Sequence, residues 1–542
     1  MINFMTVTFK ILLTVFALVI WAGKTNATNY YVNATTGNNS NTGLSIEKAL
    51  KTLQKAADKT IAGDTVFVMN GTYVKDNSWS SDVVIETSSG TSEKWIVWIN
   101  YPGHQPLISF DCWRAFNIQG SYIEVNGLTI KGNNSNITLQ QALNQPKSCA
   151  NPAGSFDGRF NGNGISVDGR SGTRFHHFKV KNCTVYDCGG AGITFIQADY
   201  ITVENNVIYN CSWYTLWSTS GISLWQNWNS DNETGVKNVI RNNICYSNRQ
   251  YVPAIAFNCG FTDGNGIIID DSENTQNGST LGSYKGRTLI ENNIVYKNGG
   301  SGIHTYKSKH VDIVNNTAYF NSQSPELNGG EIFPNASDDI RIFNNILVAS
   351  ANKRINSNYN NGKTIVYSNN LHFGGNVTAI TGTNLVKGDP LFTDAANNDF
   401  RLQQGSPAID KGIDSLPGIN APDFDFDGKN RPVGAGFDIG AFEFELTSGL
   451  GFFNDQTEND FFTLYPNPAT KNVNVKVNAV RNQKIEINLF NLQGQLVISN
   501  SFLAIVGELN SFKLPVQHIP NGIYILSVSN GNEIHSKNLV KN

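Results

Sequence analysis

The stretch TDGNGIIIDDSEN, residues 262–274, places Asp263, Asp270, Asp271 and Glu273 close together in a chain of which only 15% is charged. Carboxylates grouped this way could ligate a hard cation such as Ca2+, work as an acid–base pair, or simply close the end of a strand. A cationic strip follows. From Lys285 to His310 there are five lysines and arginines (Lys285, Arg287, Lys297, Lys307, Lys309) against the single acid Glu291, although the whole chain carries a formal net charge of -3. A cationic strip beside an acidic cluster suits an anionic ligand held by a metal and by lysine or arginine; solvated turn charges that balance one another are the plainer alternative. Just upstream, SWYTLWSTSGISLWQNWN carries Trp213, Trp217, Trp225 and Trp228, four of the nine tryptophans. One or two of these rings suit a core, and the rest suit a platform that stacks on sugar rings.

What positions these residues is a repeat. The segments KVKNCTVYDC (179–188), TVENNVIYNC (202–211), VIRNNICYSN (239–248), LIENNIVYKN (289–298), DIVNNTAYFN (312–321) and RIFNNILVAS (341–350) align on one column. That column is Cys183, Asn206, Asn243, Asn293, Asn316, Asn345 and then Asn370, with gaps of 23, 37, 50, 23, 29 and 25 residues. A glycine-rich, strand-rich unit of about 23 residues with an asparagine column predicts an all-β right-handed parallel β-helix, in which identical amides stack from coil to coil. This growth by repeated units explains how 542 residues need not divide into several ordinary domains.

A second aligned element begins at glycine: GISVDG (164–169), GITFIQ (192–197), GISLWQ (221–226), GIIIDD (266–271) and GIHTYK (302–307). Strand alternation sends the first and third residues after glycine inward and the second and fourth outward. Asp270 therefore faces out in a column with Trp225 and Tyr306, flanked by His304 and Lys307. The Asp270–Asp271 pair is therefore expected to be unburied. The insertions 212–238 and 249–288 interrupt the repeat beside these coils, where loops on a rigid scaffold usually carry binding and chemistry.

The two ends have their own signals. In residues 1–27 Lys10 precedes an apolar run from Ile11 to Ala22, and the segment ends in small and polar residues, which predicts a signal peptide cleaved after Ala27. No second apolar stretch follows, so the mature chain is expected to lack a transmembrane segment and to be a monomer. The near-neutral charge argues against nucleic-acid or membrane-surface partners. Of the seven cysteines, Cys188 and Cys211 fall at matching repeat positions and are expected to stack and cross-link; the other five read as small core residues. Domain bounds follow: a β-helix over 28–445, a linker over 446–460, and a small β-sandwich over 461–542. SIEKALKTLQKAADKT (45–60) has the apolar spacing of a capping helix. Asp423, Asp425 and Asp427 before Gly428 imitate a calcium loop but lack its twelfth-position glutamate, which favours a structural turn.

The N-terminal layout, YYVNATTGNNSNTG then a helix then GDTVFVMNGTY, resembles the start of secreted pectate-lyase-like β-helix proteins. LYPNPA, LFNLQGQLV and NGIYILSVSNG resemble the C-terminal sorting domain of the type nine secretion system of Bacteroidetes. That likeness implies passage through the type nine machinery, followed by release or attachment at the cell surface.

The overall pattern resembles the pectate-lyase superfamily, in which uronate-containing polysaccharides are cleaved by β-elimination. There calcium binds the substrate carboxylate and a lysine or arginine removes the C5 proton. The resemblance implies Lys307 as base, with His304 or Tyr306 as alternative base or proton donor to the leaving oxygen. It also implies Asp263, Asp270, Asp271 and Glu273 as calcium ligands and Arg287 as a carboxylate clamp. Trp217, Trp225, Trp228, Lys309 and His310 would contact an acidic polysaccharide. TDGNGIII is similar to the DGNGFK run of family-nine pectate lyases, but Ile268 stands where that family has its lysine, and the family's Asp-Asp-Gly run is not matched. Polygalacturonase-like inverting hydrolysis through Asp270, Asp271, His304 and Lys307 is an alternative on the same scaffold. A non-catalytic binding or adhesin role is another.

Overall fold

The computed structural model describes residues 27–75, 81–359, 362, 364–445, 461–477, 483–491, 495–505, 510–530 and 534–542. The expected signal peptide (apart from Ala27) and the linker 446–460 lie outside the described residues. No helix among the described residues is long and apolar enough to cross a membrane.

Three long parallel sheets of 11, 10 and 11 strands wind into a solenoid. One coil runs from Ile193–Ile196 to Asp199–Glu204 to Val207–Tyr209, and each strand pairs in register with its equivalent one coil on. The sheets are called here the floor (Ile193–Ile196), the flank (Asp199–Glu204) and the back (Val207–Tyr209). Ile193, Phe195, Ile201, Val203 and Ile208 all point inward with no exposed surface, as alternation requires.

The paired asparagines have a division of labour. The first of each pair turns the corner from flank to back in the left-handed region: Asn205, Asn242, Asn292, Asn315, Asn344 and Asn369 have φ between 49° and 58°. Asparagine tolerates that conformation better than most residues. The second turns inward and stacks. Asn243, for example, donates from Nδ2 to Asn293 Oδ1 at 2.9 Å and to the Val203 carbonyl at 2.9 Å, while its backbone N–H donates to the same Asn293 Oδ1. A further ladder, Asn248–Asn298–Asn321, lines the corner from back to floor and ends on the buried carboxylate of Glu331.

The N-terminal cap is shorter than its apolar spacing suggested. A 3-10 turn, Ile46–Lys48, and a helix, Leu53–Ala57, are separated by an extended step at which Leu50 bridges Val32. Leu53, Ala56 and Ala57 bury the helix face, and Thr52 caps it through Lys55 N–H. In the closing segment Asp425 is buried and accepts N–H groups of Lys429 and Glu443, and Asp427 pairs with Arg401. Both contacts belong to a structural turn.

The cysteine pairing differs from expectation. Cys188 and Cys211 stack in the core as free thiols, each donating to a nearby carbonyl. The disulfide joins Cys149 to Cys259, in two loops outside the repeat that alignment of the coils could not relate.

The C-terminal unit, described over parts of 461–542, is two antiparallel sheets of three and four strands. Val473, Val475, Ile485, Ile487, Leu526, Val528 and Leu539 form its core, as a small sandwich demands.

Candidate functional site

Two walls rise beside the floor sheet. The first is built from 132–162, 212–221 and 249–265. Ala142, Phe160, Tyr214, Leu216 and Val252 form a shared core there. Gln145 Nε2 donates to the Tyr214 carbonyl at 2.9 Å, and the Cys149–Cys259 disulfide ties the first segment to the third. The segment 132–162 has no counterpart in the sequence reading; its signal was the capping box of Thr138 and Gln141 opening the helix Leu139–Leu143. The second wall combines 226–235 with 271–286, joined through Asn274 Nδ2 to the Asn227 carbonyl and Asn229 Nδ2 to the Ser283 carbonyl. It is anchored by Lys237, whose buried ammonium lies 2.7 Å from Asp199 and 2.8 Å from Asp231, and by the Tyr284 hydroxyl on Asp199 at 2.5 Å.

Between the walls, outward direction no longer means exposure. The second-position residues Ser166, Thr194, Ser223, Ile268 and His304 point away from the solenoid axis yet are 2–7% exposed. The fourth-position residues Trp225, Asp270 and Tyr306 are half-buried and share one column. Asp270 is thus outward-facing as expected, but it is not freely exposed.

Five successive floor strands end in a single left-handed residue that turns the chain toward the flank: Gln197, Gln226, Asp271, Lys307 and Ala336, with φ of 53°, 53°, 51°, 46° and 50°. Their side chains begin as a ladder. Gln197 Nε2 donates to Gln226 Oε1 at 3.2 Å, and Gln226 Nε2 donates to Asp271 Oδ2 at 2.8 Å. The fourth member breaks it. Among the described residues Lys307 Nζ makes no ion pair or hydrogen bond, and it lies 5.4 Å from the centre of the Tyr306 ring. The Tyr306 hydroxyl likewise has no hydrogen-bond partner among the described residues.

The acids part company here. Asp271, against the expectation of an unburied pair, is fully buried under the second wall, and its two oxygens accept from Gln226 Nε2, Thr275 N, Thr275 Oγ1 and Gln276 N. Glu273 pairs with Lys309 at 2.6 Å. Asp263 sits in the first wall, held by Thr262 Oγ1 at 2.8 Å and Asn265 Nδ2 at 3.0 Å; burial pushes its carboxyl up to about 6 against those bonds. Asp270 receives one bond, from Gln276 Nε2 to Oδ1 at 3.0 Å. Burial first, and then the charges of Asp263 and Asp271, lift the Asp270 carboxyl well above the carboxylate range, against the pull of Gln276 and Lys307.

These contacts correct the expected calcium set. Among the described residues no three histidine, cysteine, aspartate or glutamate side chains converge as metal ligands. Asp271 meets N–H and O–H donors on both oxygens, which is the environment of a satisfied anion, and Glu273 is committed to an ammonium. The four acids therefore do not fit one calcium ion.

Four other expected members also lie elsewhere or are committed. Arg287, Lys309 and His310 belong to flank strands, Arg287–Glu291 and Lys309–Val314, so the turn after Asp270 carries them off the floor. Arg287 pairs with Asp312 at 2.9 Å and with Asp339, and His310 Nδ1 lies 2.5 Å from Asp339, so the guanidinium is no open clamp. Arg287, His310 and Asp339, with Asn229, Tyr284 and Lys285, line a separate cleft of about 760 Å³. His304 is buried, its Nδ1 is 2.6 Å from the Phe333 carbonyl and its ring stacks on Phe333; burial lowers it to about 4, so it stays a neutral, fixed ring.

The tryptophans divide as well. Trp213 and Trp228 are half-buried with their indole N–H groups bonded to the Ser247 and Phe175 carbonyls. Trp217 is 39% exposed and stacks on Phe156 at 4.8 Å. Trp225 stands on the floor with the Arg170 guanidinium 5.8 Å from its ring. Flat aromatic surface thus lies both on the first wall and on the floor.

The sequence profile described as Pel9A-like, right handed beta helix region matches residues 30–331, and that of the secretion system C-terminal sorting domain matches 463–542. Comparison with curated protein sequences gives no match. Among solved structures, pectate lyase Pel9A is 15% identical with a TM-score of 0.39, covering 78% of this chain and 97% of its own. A rhamnogalacturonan lyase is 15% identical at TM-score 0.33, covering 66% and 84%. The A-module of the Azotobacter vinelandii mannuronan C-5 epimerase AlgE4 is 15% identical at TM-score 0.31, covering 62% and 90%.

Proposed function

Since the chain belongs to the Pel9A-like right-handed β-helix family and carries a sorting domain for type IX secretion to the cell surface or beyond, we propose that it is a polysaccharide lyase acting on a uronate-containing chain. The observation that carries this reading is the broken corner ladder. Lys307 is left without a partner where its predecessors are bonded, beside Tyr306 and Asp270 on the floor of a walled groove.

In β-elimination a base takes the proton from C5, next to the carboxylate. The C5–H electron pair becomes the C4–C5 double bond, the C4–O bond breaks, and the leaving oxygen takes a proton. In this reading Lys307 is that base. Burial makes Asp270 a better proton holder than an ordinary carboxylate, and its Oδ2 lies clear of the bond from Gln276 to Oδ1. A neutral carboxylic acid in that position donates a hydrogen bond to the substrate carboxylate as negative charge builds on it. The Tyr306 hydroxyl serves the leaving oxygen. Trp225 and Trp217 stack on sugar rings to either side. Asp263, Asp270, Asp271 and Glu273 do not assemble a calcium site, so in this reading Lys307, Asp270 and Tyr306 carry the elimination.

The test is ultraviolet absorbance of unsaturated uronate ends on a panel of acidic polysaccharides. Absorbance that appears with the wild type and vanishes in Lys307→Ala supports the reading. A second reading has one specific support: Asp263, pushed up to about 6, and Asp270, lifted well above the usual carboxylate range, are two carboxyls suited to proton transfer, as an inverting hydrolase needs. It predicts new reducing ends without absorbance. Neither product on any substrate would sink both readings and leave a binding protein.

A further inference from the structure

At the corner from back to floor, at the far end of the strands that finish in Asp270 and Lys307, two cations stand within each other's field, and among the described residues neither forms an ion pair. Arg249, Gly299, Ser324 and Lys353 follow one another on successive turns. Ser324 N–H donates to the Gly299 carbonyl at 2.9 Å, and Lys353 Nζ donates to the carbonyls of Ser324 at 3.0 Å and Leu327 at 2.9 Å. Arg249 lies across Gly299 so closely that a Cβ there would stand 2.5 Å from Arg249 Cγ and 2.7 Å from Ser324 Oγ. Only glycine leaves room for that arrangement.

The cations are unpaired by more than accident of rotamer. Among the described residues neither forms an ion pair, and the Arg249 guanidinium has no hydrogen bond to the protein; it rests 4.7 Å from the Tyr251 ring. Two buried polar atoms at the same spot lack partners: Arg249 Nε and the hydroxyl of Ser324, a residue with no exposed surface. The field of Arg249 also reaches Lys353: burial and then Arg249 lower the lysine's proton affinity, opposed by the exposed Glu326. Like charges drawn together beside unspent donors form a seat for an anion.

We infer that Arg249, Lys353 and Ser324 form an anion-binding subsite that takes a carboxylate or sulfate group of an acidic glycan. Guanidinium and ammonium supply the charge, and the hydroxyl supplies a third donor. The subsite sits across the floor from Lys307, on the turns that lead into the floor strands, so a glycan held there can extend along the groove toward the reacting centre. Its role as a glycan subsite rests on the function proposed above; anion binding itself does not.

The experiment therefore has two arms. Thermal unfolding at low ionic strength, with sodium sulfate or sodium galacturonate against sodium chloride, reports the anion alone. The melting temperature should rise with either probe over chloride in the wild type and not in Arg249→Gln/Lys353→Met. Equal response of wild type and double variant to every salt overturns the subsite. In the second arm, oligogalacturonate affinity is measured on Lys307→Ala and on the same protein carrying the two further changes. The expected loss is tenfold or more, consistent with about two charge-assisted contacts. Unchanged affinity would show that any anion bound there is no part of the glycan path. The single variants Arg249→Lys and Lys353→Arg, which keep charge and fold, should retain the anion response, so a folding defect in the double variant cannot pass for a positive result.

Discussion

Two corner columns of this solenoid use the same device to opposite ends. From flank to back, an asparagine turns the chain and the next asparagine stacks inward, coil after coil, until every amide is bonded. From floor to flank, Gln197, Gln226, Asp271, Lys307 and Ala336 also turn in the left-handed region and also start a ladder, but residue type changes at almost every rung and the rung at Lys307 is open. The regular column holds the coils in register. The irregular one keeps the geometry and frees one position. In a repeat protein, chemistry shows itself as a departure from the repeat at a site whose backbone still obeys it.

Each part of that contrast can be broken. Lys307→Ala should lower kcat by about 10²–10⁴-fold, the range of a positioned general base, while the unfolding midpoint in denaturant stays near that of the wild type. A large loss of stability would mean that Lys307 is a rung after all. Asn293→Ala should do the reverse. It strips the acceptor from Asn243 N and Nδ2 and the donor from the Ile240 carbonyl, at a cost of about 2–4 kcal/mol in urea unfolding; a change under 1 kcal/mol would deny the ladder its role.

Asp270 tests the open rung from its other side. A carboxyl whose proton affinity is raised acts as donor below its raised pKa and loses that role as pH climbs through it, so the activity it supports should fall toward alkaline pH. Asp270→Asn keeps an N–H donor and should retain roughly tenfold more activity than Asp270→Ala, with that alkaline fall removed. Equal rates and profiles in the two variants would remove Asp270 from the mechanism. Last, a chelator should leave the melting temperature unchanged, since the donors around Asp271 already satisfy it. A drop of several degrees, restored by calcium, would reveal a site made by other ligands.

Much of this architecture was legible. The asparagine column gave the solenoid, and alternation after each glycine gave the floor column of Trp225, Asp270 and Tyr306, because both rest on local periodicity. The three-dimensional neighbours of that column were harder. Arg287 is seventeen residues from Asp270, yet a corner and a wall intervene, so closeness in sequence became a different sheet. Asp270 and Asp271 are adjacent, but the left-handed turn at Asp271 sends one carboxyl into the groove and the other under a loop. His304 points outward as alternation requires and is still buried, because the walls that cover it come from insertions with no repeat to place them. The segment 132–162 and the Cys149–Cys259 link escaped for the same reason.

The distribution of sulfur has a consequence for how the molecule is made. Five thiols, Cys112, Cys183, Cys188, Cys211 and Cys245, are sealed in the interior, while the two that pair lie 110 residues apart on loops outside it. In an oxidising compartment seven reduced cysteines offer many wrong partners. Cys183, Cys188, Cys211 and Cys245 all lie on the coils between Cys149 and Cys259, and in the wound solenoid those four thiols are sealed out of reach of the exchange-prone pair on the loops.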